Sequence, residues 1–154
     1  MADKLPRAPL ASWLLYVDRE ACRVEAWHST FPRRNGYRLV QTYVCAVGTE
    51  GHETPAGVFS VLAKIRNPSW TMPDADWVPK EMRGTVVPGG DPANPLVGSF
   101  IKITDDPTGS VGIHGTRALD SLGTKASHGC IRVHPDVALE LHKRIPTGTP
   151  VVLR

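Results

Sequence analysis

The chain has 154 residues, of which 41% are hydrophobic and 21% are charged, and its formal net charge is +3. This length is sufficient for one domain with a sizeable core. Lysine and arginine are scattered without a long run, so the charge gives no support to a nucleic-acid partner. The sequence also contains no stretch of the roughly 18 apolar residues that a membrane-spanning helix needs.

The start of the chain is expected to be a loose arm. Residues 1–11 are polar and include two prolines, so we expect a flexible N-terminal arm followed by one domain over residues 12–154. The apolar run at residues 13–17 is short, Asp18 follows it directly, and no small-residue cleavage site is visible. We therefore do not expect this stretch to be a signal peptide.

The next segments are expected to be strands. Aromatic and β-branched residues predict a hairpin with strands over residues 12–17 and 21–27 and a turn at residues 18–20. The pair Asn35-Gly36 is a further turn signal. Both alternating sets of residues 37–47 are largely apolar, which indicates a strand covered on both faces.

A long proline-rich segment is expected to form a flap. Residues 58–65 are predicted to be one strand, and residues 66–97 then contain six prolines and two tryptophans. A loop of this length is uncommon in a compact domain unless it is functional. Trp70 and Trp77 favour an ordered segment, because such large side chains normally cover something. We therefore expect an ordered flap that covers either a substrate groove or an open end of the core.

The C-terminal part contains the predicted helix. Strands are predicted over residues 99–104 and 111–114, and a last strand over residues 151–153. Pro135 is typical of the first turn of a helix, and Pro146 ends that helix. One face of the predicted helix carries an apolar stripe that consists of Val137, Ala138, Leu141 and Ile145.

Together these elements predict a mainly β fold. Short strands separated by turn residues suit two packed sheets or a partly closed barrel, with one helix in the C-terminal region. Strands and helices do not alternate regularly, so a doubly wound sheet is not expected.

Cys130 carries the strongest chemical signal. It lies in the run Ser127-His128-Gly129-Cys130-Ile131-Arg132, where Gly129 allows the backbone to approach a substrate closely. A thiol becomes a good nucleophile when an imidazole takes its proton. Two histidines are candidates for this role: His128 lies in the same run, and His114 arrives at the end of a separate predicted strand.

The groups around Cys130 are suited to acyl transfer. The backbone N–H groups of Gly129 and Cys130 are candidates for stabilising an oxyanion. The guanidinium of Arg132 is suited to binding a substrate carboxylate. These features predict acyl transfer through a thioester.

A metal site is one alternative, and a coincidental grouping of these residues without a chemical role is another. His114, His128, Cys130 and His134 are all acceptable zinc ligands. The sequence has neither a CxxC pair nor an HExxH motif, so the spacing favours the acyl-transfer site.

The other two cysteines are expected to be structural. Cys22 and Cys45 lie in strand-like segments, and free cysteines are commonly buried. The chain has three cysteines, so at least one thiol is unpaired. The sequence leaves open whether Cys22 and Cys45 are free or form a disulfide.

The motifs around Cys130 and His114 resemble those of a known family. Ile113-His114-Gly115-Thr116 and Ser127-His128-Gly129-Cys130-Ile131-Arg132-Val133 resemble the catalytic signature of the L,D-transpeptidases, the YkuD-type domain. The segment Thr54-Pro55-Ala56-Gly57-Val58-Phe59 and the C-terminal segment Pro146-Thr147-Gly148-Thr149-Pro150-Val151 also resemble that family. The resemblance covers roughly residues 12–154.

The resemblance implies both a fold and an activity. The fold is a two-sheet, β-sandwich-like domain with the active site under the flap. The activity joins two stem peptides of peptidoglycan: a donor tetrapeptide loses its terminal D-alanine, and a side-chain amine of the acceptor completes a 3→3 cross-link. Water as acceptor would make the protein an L,D-carboxypeptidase, and a catalytically silent peptidoglycan-binding module is a further alternative. The resemblance also implies a location in the cell envelope, no cofactor and no metal, and we expect a monomer.

The resemblance assigns a role to individual residues. Cys130 is the nucleophile, His114 is the general base, and the carbonyl of Gly115 orients the imidazole. The oxyanion and substrate pocket is formed by Ser127, His128, Gly129 and Arg132.

Overall fold

The structure is a computed structural model that describes residues 12–29, 36–106 and 109–154. Two expectations from the sequence lie outside these residues: the loose arm over residues 1–11, and Asn35 of the predicted Asn-Gly turn. Within the described ranges, no helix is long and apolar enough to cross a membrane.

The fold is mainly β with one α-helix, as the sequence predicted. The described strands are β1 (Trp13–Asp18), β2 (Arg23–Ser29), β3 (Tyr37–Val44), β4 (Val47–Gly48), β5 (Gly57–Ser60), β6 (Ala63–Arg66), β7 (Trp70–Thr71), β8 (Val86–Val87), β9 (Val97–Asp106), β10 (Gly109–Gly115), β11 (Lys125–Ser127), β12 (Ile131–Val133) and β13 (Pro150–Leu153). The helix is α1 (Pro135–Arg144), and short 3-10 turns occur at Lys80–Met82 and Leu119–Ser121.

Two larger sheets form the body of the domain. The first has the strand order β3-β2-β1-β13-β5, and the second has the order β12-β10-β9-β6. The strand β13 pairs in parallel with β1 and antiparallel with β5. The first and last described strands therefore lie side by side inside one sheet. Two short pairs, β11-β4 and β7-β8, accompany the large sheets.

Both large sheets and the helix share one hydrophobic core. Burial alternates along the first part of β2, whereas β1 buries the consecutive residues Leu14 and Leu15 as well as Val17. Each buried Leu, Ile or Val stabilises the fold by roughly 1.5–3 kcal/mol relative to an exposed side chain. The predicted stripe of α1 is confirmed, since Ala138, Leu141 and Ile145 are fully buried and Val137 packs against the core. Members of the core from the two sheets include Leu15, Val17, Val24, Ile101, Ile103, Ile113, Ile131, Val151 and Leu153.

The prediction of a strand covered on both faces over residues 37–47 was wrong. β3 is the end strand of its sheet in the described part of the chain. Leu39 and Val44 are 46% and 58% exposed, and Tyr43 is the buried residue of this strand. Tyr43 is a member of the core, and residues 45–47 after β3 are all buried. Apolar alternation indicates which residues share a face, but it does not indicate whether that face is covered.

The single strand predicted over residues 58–65 is two strands in different sheets. β5 pairs with β13 in the first sheet, and β6 pairs with β9 in the second. Between the two strands, the N–H of Val61 donates to the backbone oxygen of Thr149 at 2.9 Å, and the N–H of Leu62 donates to the backbone oxygen of Lys102 at 2.8 Å. The chain crosses from one sheet to the other at these two residues, where neither glycine nor proline marks a break.

The flap, residues 66–97, is folded as its tryptophans predicted. It contains the β7–β8 pair and the 3-10 turn at Lys80–Met82. Asn94 is buried, and its Nδ2 donates to the carbonyl oxygens of Pro68 at 2.9 Å and Pro88 at 3.0 Å. This buried amide therefore joins the two ends of the flap.

Cys22 and Cys45 are free, buried thiols in the structure. They are neighbours, because the N–H of Cys45 donates to the carbonyl of Cys22 at 2.9 Å. Burial raises the pKa of the Cys45 thiol to about 12, and it also raises the pKa of Cys22. Both thiols are therefore protonated at neutral pH, and neither is an activated nucleophile.

Candidate active site

The pairing of β10 with β12 brings the two chemical motifs together. The strands are parallel, with His114 opposite Arg132. Cys130 directly precedes β12, and its Sγ lies 3.6 Å from the carbonyl oxygen of Ser110 on β10. The candidate nucleophile therefore packs against the strand that carries the candidate base.

His114 is buried, with one ring nitrogen engaged by the backbone. It is 4% exposed, and its Nδ1 lies 2.8 Å from the carbonyl oxygen of Gly115. Because a carbonyl oxygen only accepts hydrogen bonds, Nδ1 carries the hydrogen and Nε2 is left as the proton acceptor. Burial lowers the pKa of His114 to about 4 against the opposing effect of the Gly115 bond, and the charge of Arg132 adds to the lowering. The imidazole is therefore neutral at pH 7, which is the form that a general base requires.

Ser127 shapes the loop that ends in Cys130. Its buried Oγ donates to the carbonyl of Cys130 at 2.5 Å and accepts the N–H of Gly129 at 3.1 Å. Gly129 has a φ of 121°, a conformation that is available to glycine at little cost. The N–H of Gly129, which was expected to stabilise an oxyanion, is thus already bonded to Ser127. An oxyanion would have to compete with Ser127 for this donor.

A buried threonine from a distant segment also contacts this loop. The Oγ1 of Thr54 donates to the carbonyl of Gly129 at 2.9 Å and accepts the N–H of Gly48 at 2.9 Å. Thr54 is 1% exposed. Thr54 was not among the site residues predicted from the sequence. Its place in the Thr-Pro-Ala-Gly segment that resembles the family was the available signal.

His128 connects the Cys130 loop to the flap. Its ring stacks on Trp77 with centroids 4.2 Å apart and an angle of 19° between the planes. His52 meets the same ring edge-on at a centroid distance of 5.1 Å. Partial burial, followed by the neighbouring His52 and Arg132, lowers the pKa of His128. The flap therefore touches the loop that carries the candidate nucleophile, and neither Trp77 nor His52 was assigned to the site from the sequence.

Arg132 places a positive charge beside both imidazoles. Its backbone exchanges two hydrogen bonds with Ala46, at 2.9 and 2.8 Å, and its side chain is half-buried. Its charge lowers the pKa of His114 and of His128. The same charge favours an anion at this place, either a thiolate or a substrate carboxylate.

The three histidines of the alternative metal site each contact a different partner. His134 begins α1, and its Nδ1 accepts the N–H of Asp136 at 3.2 Å. His128 stacks on Trp77, and His114 bonds Gly115. Among the residues that the structure describes, no group of three or more His, Cys, Asp or Glu side chains has an arrangement that could hold a metal ion.

Comparison with known protein families connects this site to one of them. Residues 14–153 match the L,D-transpeptidase catalytic domain, the YkuD family. The chain belongs to the L,D-transpeptidase family. The match covers both of the large sheets, α1 and the Cys130 loop of this L,D-transpeptidase domain.

Curated relatives carry the same family name. YqjB of Bacillus subtilis is 38% identical over 116 residues, which cover 72% of this chain and 57% of the relative. ErfK/SrfK of Escherichia coli K12 is 31% identical over 121 residues, which cover 73% of this chain and 36% of the relative. This L,D-transpeptidase chain therefore spans about half, or less, of the length of these relatives.

Solved L,D-transpeptidase structures share the fold. An L,D-transpeptidase from Mycobacterium smegmatis matches with a TM-score of 0.69 over 94% of this chain and 59% of that chain, at 21% identity. The catalytic domain of the E. faecium L,D-transpeptidase, solved as an ertapenem acyl-enzyme, matches with a TM-score of 0.61 over 96% of this chain and 100% of that chain, at 25% identity. The predicted mainly β fold of this family is confirmed.

Proposed function

We propose that this chain is an L,D-transpeptidase that forms 3→3 peptidoglycan cross-links through a thioester on Cys130. The observation that carries the proposal is the state of His114, whose Nδ1 is bonded to Gly115 and whose pKa is lowered to about 4. A neutral imidazole with an unprotonated Nε2, on the strand beside Cys130, is suited to take the proton of the thiol.

The first half-reaction transfers the donor peptide to Cys130. Nε2 of His114 takes the thiol proton, and Sγ attacks the carbonyl carbon that precedes the terminal D-alanine. The new S–C bond converts the carbonyl into an oxyanion, for which the backbone N–H of Cys130 is the proposed donor. The carbonyl then re-forms as the C–N bond breaks, and His114 returns its proton to the departing amine. The products are a thioester on Cys130 and free D-alanine.

The second half-reaction releases the enzyme. The side-chain amine of a second stem peptide attacks the thioester carbon and gives a proton to His114. A C–N bond forms, the S–C bond breaks, and the proton returns to the Cys130 sulfur. The net result exchanges one amide bond for another, so no cofactor or external energy source is needed.

Arg132 and His128 are the proposed substrate contacts. A guanidinium binds a carboxylate through two parallel hydrogen bonds, so Arg132 is suited to a terminal carboxylate of the donor. His128 and Trp77, stacked on each other, form the proposed rim between this pocket and the flap. The proposed partners are therefore two peptidoglycan stem peptides, and the proposed location is the cell envelope, where that polymer lies.

Incubation with a disaccharide-tetrapeptide, followed by mass spectrometry, tests the proposal. The wild-type protein is expected to release D-alanine and to form a cross-linked dimer. Cys130→Ala should lower both rates by about a thousandfold or more, because the thioester cannot form. Cys22→Ala, which removes a buried thiol elsewhere, is the matched control and should retain activity.

The products also separate the alternatives. A Cys130→Ala protein as active as the wild type would contradict the proposal. Tripeptide without dimer would instead identify an L,D-carboxypeptidase. Unchanged tetrapeptide, together with binding to peptidoglycan, would identify a catalytically silent module.

A further inference from the structure

The peptide group between Gly129 and Cys130 is anchored on one side. Its oxygen accepts the hydrogen bond from the Thr54 hydroxyl at 2.9 Å. In a trans peptide group, the C=O and N–H bonds point in opposite directions. Thr54 is 1% exposed and approaches this oxygen from the interior of the domain. The N–H of Cys130 is therefore directed away from Thr54, on the opposite side of this peptide group.

Ser127 does not make this contact redundant. Its Oγ bonds the N–H of Gly129 and the carbonyl of Cys130. These two groups belong to the peptide groups before and after the one that Thr54 holds. The two hydroxyls therefore bond different peptide groups, and of the two only Thr54 bonds the peptide group that carries the Cys130 N–H.

Thr54 is itself held in position by the fold. The N–H of Gly48 donates to its Oγ1 at 2.9 Å, so the single hydroxyl hydrogen is left for the Gly129 carbonyl. Nη1 of Arg19 donates to the backbone oxygen of Thr54 at 2.9 Å. A Cβ at Gly48 would lie 2.5 Å from the backbone nitrogen of Thr54, so this close approach requires glycine.

We infer that Thr54 is a positioning residue, whose hydroxyl orients the N–H of Cys130 as an oxyanion donor for acyl transfer. The inference rests on the proposed function. Thr54 touches neither the substrate nor the reacting atoms, and it acts through the Gly129–Cys130 peptide group. Loss of the hydroxyl should therefore affect reactions that pass through an oxyanion more than other reactions of the same thiol.

Two reactions of Cys130 test this difference. In acylation by ertapenem, Sγ attacks the lactam carbonyl, an oxyanion forms, the ring C–N bond breaks, and the ring nitrogen takes the proton that the thiol released. In alkylation by iodoacetamide, Sγ displaces iodide from carbon without an oxyanion. Thr54→Val should slow acylation about tenfold or more and leave alkylation of Cys130 within about twofold of wild type.

Two further variants serve as controls. Thr54→Ser keeps the hydroxyl and should acylate at nearly the wild-type rate. Thr149→Val changes another buried threonine, which lies in the turn before β13. Its backbone oxygen accepts the N–H of Val61, and the substitution should alter neither reaction. If the valine variant does not fold, Thr54→Ala replaces it with the same expected outcome.

Three results would overturn the inference: acylation of Thr54→Val at the wild-type rate, a proportional slowing of both reactions, or a Thr54→Ser variant as slow as the valine variant. A wild-type protein that is alkylated at Cys130 but not acylated would overturn the proposed function as well. A wild-type protein that is acylated, with an equally acylated valine variant, would overturn the role of Thr54 alone.

Discussion

The histidines of this chain differ in what surrounds each ring. His114 lies in the interior beside the ring of Phe100, at a centroid distance of 6.4 Å, and the backbone of Gly115 determines its tautomer. His128 is more exposed than His114 and stacks on Trp77. Both histidines were candidate bases from the sequence. Burial and the bond from Nδ1 to Gly115 favour His114 for this role, because burial keeps the ring neutral and the bond orients it.

The acid limb of acylation should report the pKa of His114. Below its pKa of about 4 the ring already holds a proton, so the rate of ertapenem acylation should fall as the pH drops through this value. Arg132→Gln removes a positive charge that lowers this pKa, so the acid midpoint should move to higher pH. The measurement is the acylation rate constant of each protein across the acid range.

Lys143→Gln removes an exposed charge from α1 and is the control for this pH profile. Its acid midpoint should equal that of the wild type. A wild-type midpoint near the ordinary histidine value of about 6.5 would mean that a less buried group acts as the base.

Among the elements, α1 is tied to the second sheet at its C-terminal end. Nζ of Lys64, on β6, donates to the carbonyl oxygens of His142 and Ile145, at 2.8 Å each. These carbonyls lie at the end of the helix, where backbone oxygens lack partners within the helix and carry the negative end of its dipole. Lys64 therefore links the C-terminal end of the helix to β6 and provides the hydrogen-bond donor for two terminal carbonyl oxygens.

Lys64→Met should destabilise the domain. It keeps most of the side-chain volume but leaves the two carbonyls without their charged donor, so the free energy of unfolding should fall by about 1–3 kcal/mol. Urea unfolding measures this change. Lys143→Met, in the exposed last turn of the same helix, is the matched control and should stay within about 0.5 kcal/mol of wild type. Equal losses in both variants would show that the Lys64 contacts do not stabilise α1.

At the scale of the whole molecule, the candidate site lies at one edge of the second sheet. β12 is the end strand of that sheet, and beyond it Ala46 forms an isolated bridge to Arg132. The segment that follows Ala46 contributes Gly48 and Thr54 to the Cys130 loop. The site is thus built where a strand edge meets a segment from the first part of the chain.

Stability should decrease as the pH falls below about 6.5. Unfolded His114 takes up a proton near its ordinary pKa of about 6.5, whereas folded His114 stays neutral down to a pKa of about 4. Between these two pKa values the unfolded state binds more protons than the folded state. The free energy of unfolding therefore decreases as the pH decreases, by up to about 3 kcal/mol from this residue. Partial burial lowers the pKa of His128 and His142 too, which acts in the same direction.

Urea unfolding at a series of pH values measures this dependence, and His114→Gln is the variant that isolates it. The glutamine variant cannot take up the proton, so its stability should depend less steeply on pH between about 6.5 and about 4. A variant with the same pH dependence as the wild type would show that His114 is not the main group responsible.

Much of the architecture could be predicted from local sequence. The stripe on α1, the hairpin of β1 and β2, and the order within the flap follow from periodicity, turn residues and large aromatic side chains. Two predictions were wrong: that the strand containing β3 is covered on both faces, and that β5 and β6 form a single strand. In both cases the local pattern was the same for the predicted and the observed arrangement, and only contacts with other strands distinguish them.

The sequence by itself determined the chemistry that this chain carries: a thiol, two candidate imidazoles and a guanidinium in two short motifs, within a mainly β domain. These features depend on residue type and spacing, which are local. Only the tertiary structure decided which imidazole is neutral and oriented, and which distant side chains hold the loop. Burial of His114, the stack of Trp77 on His128 and the bond from Thr54 to Gly129 all arise from packing between segments far apart in the chain. Solvation and contact across the fold, rather than residue identity, control these properties.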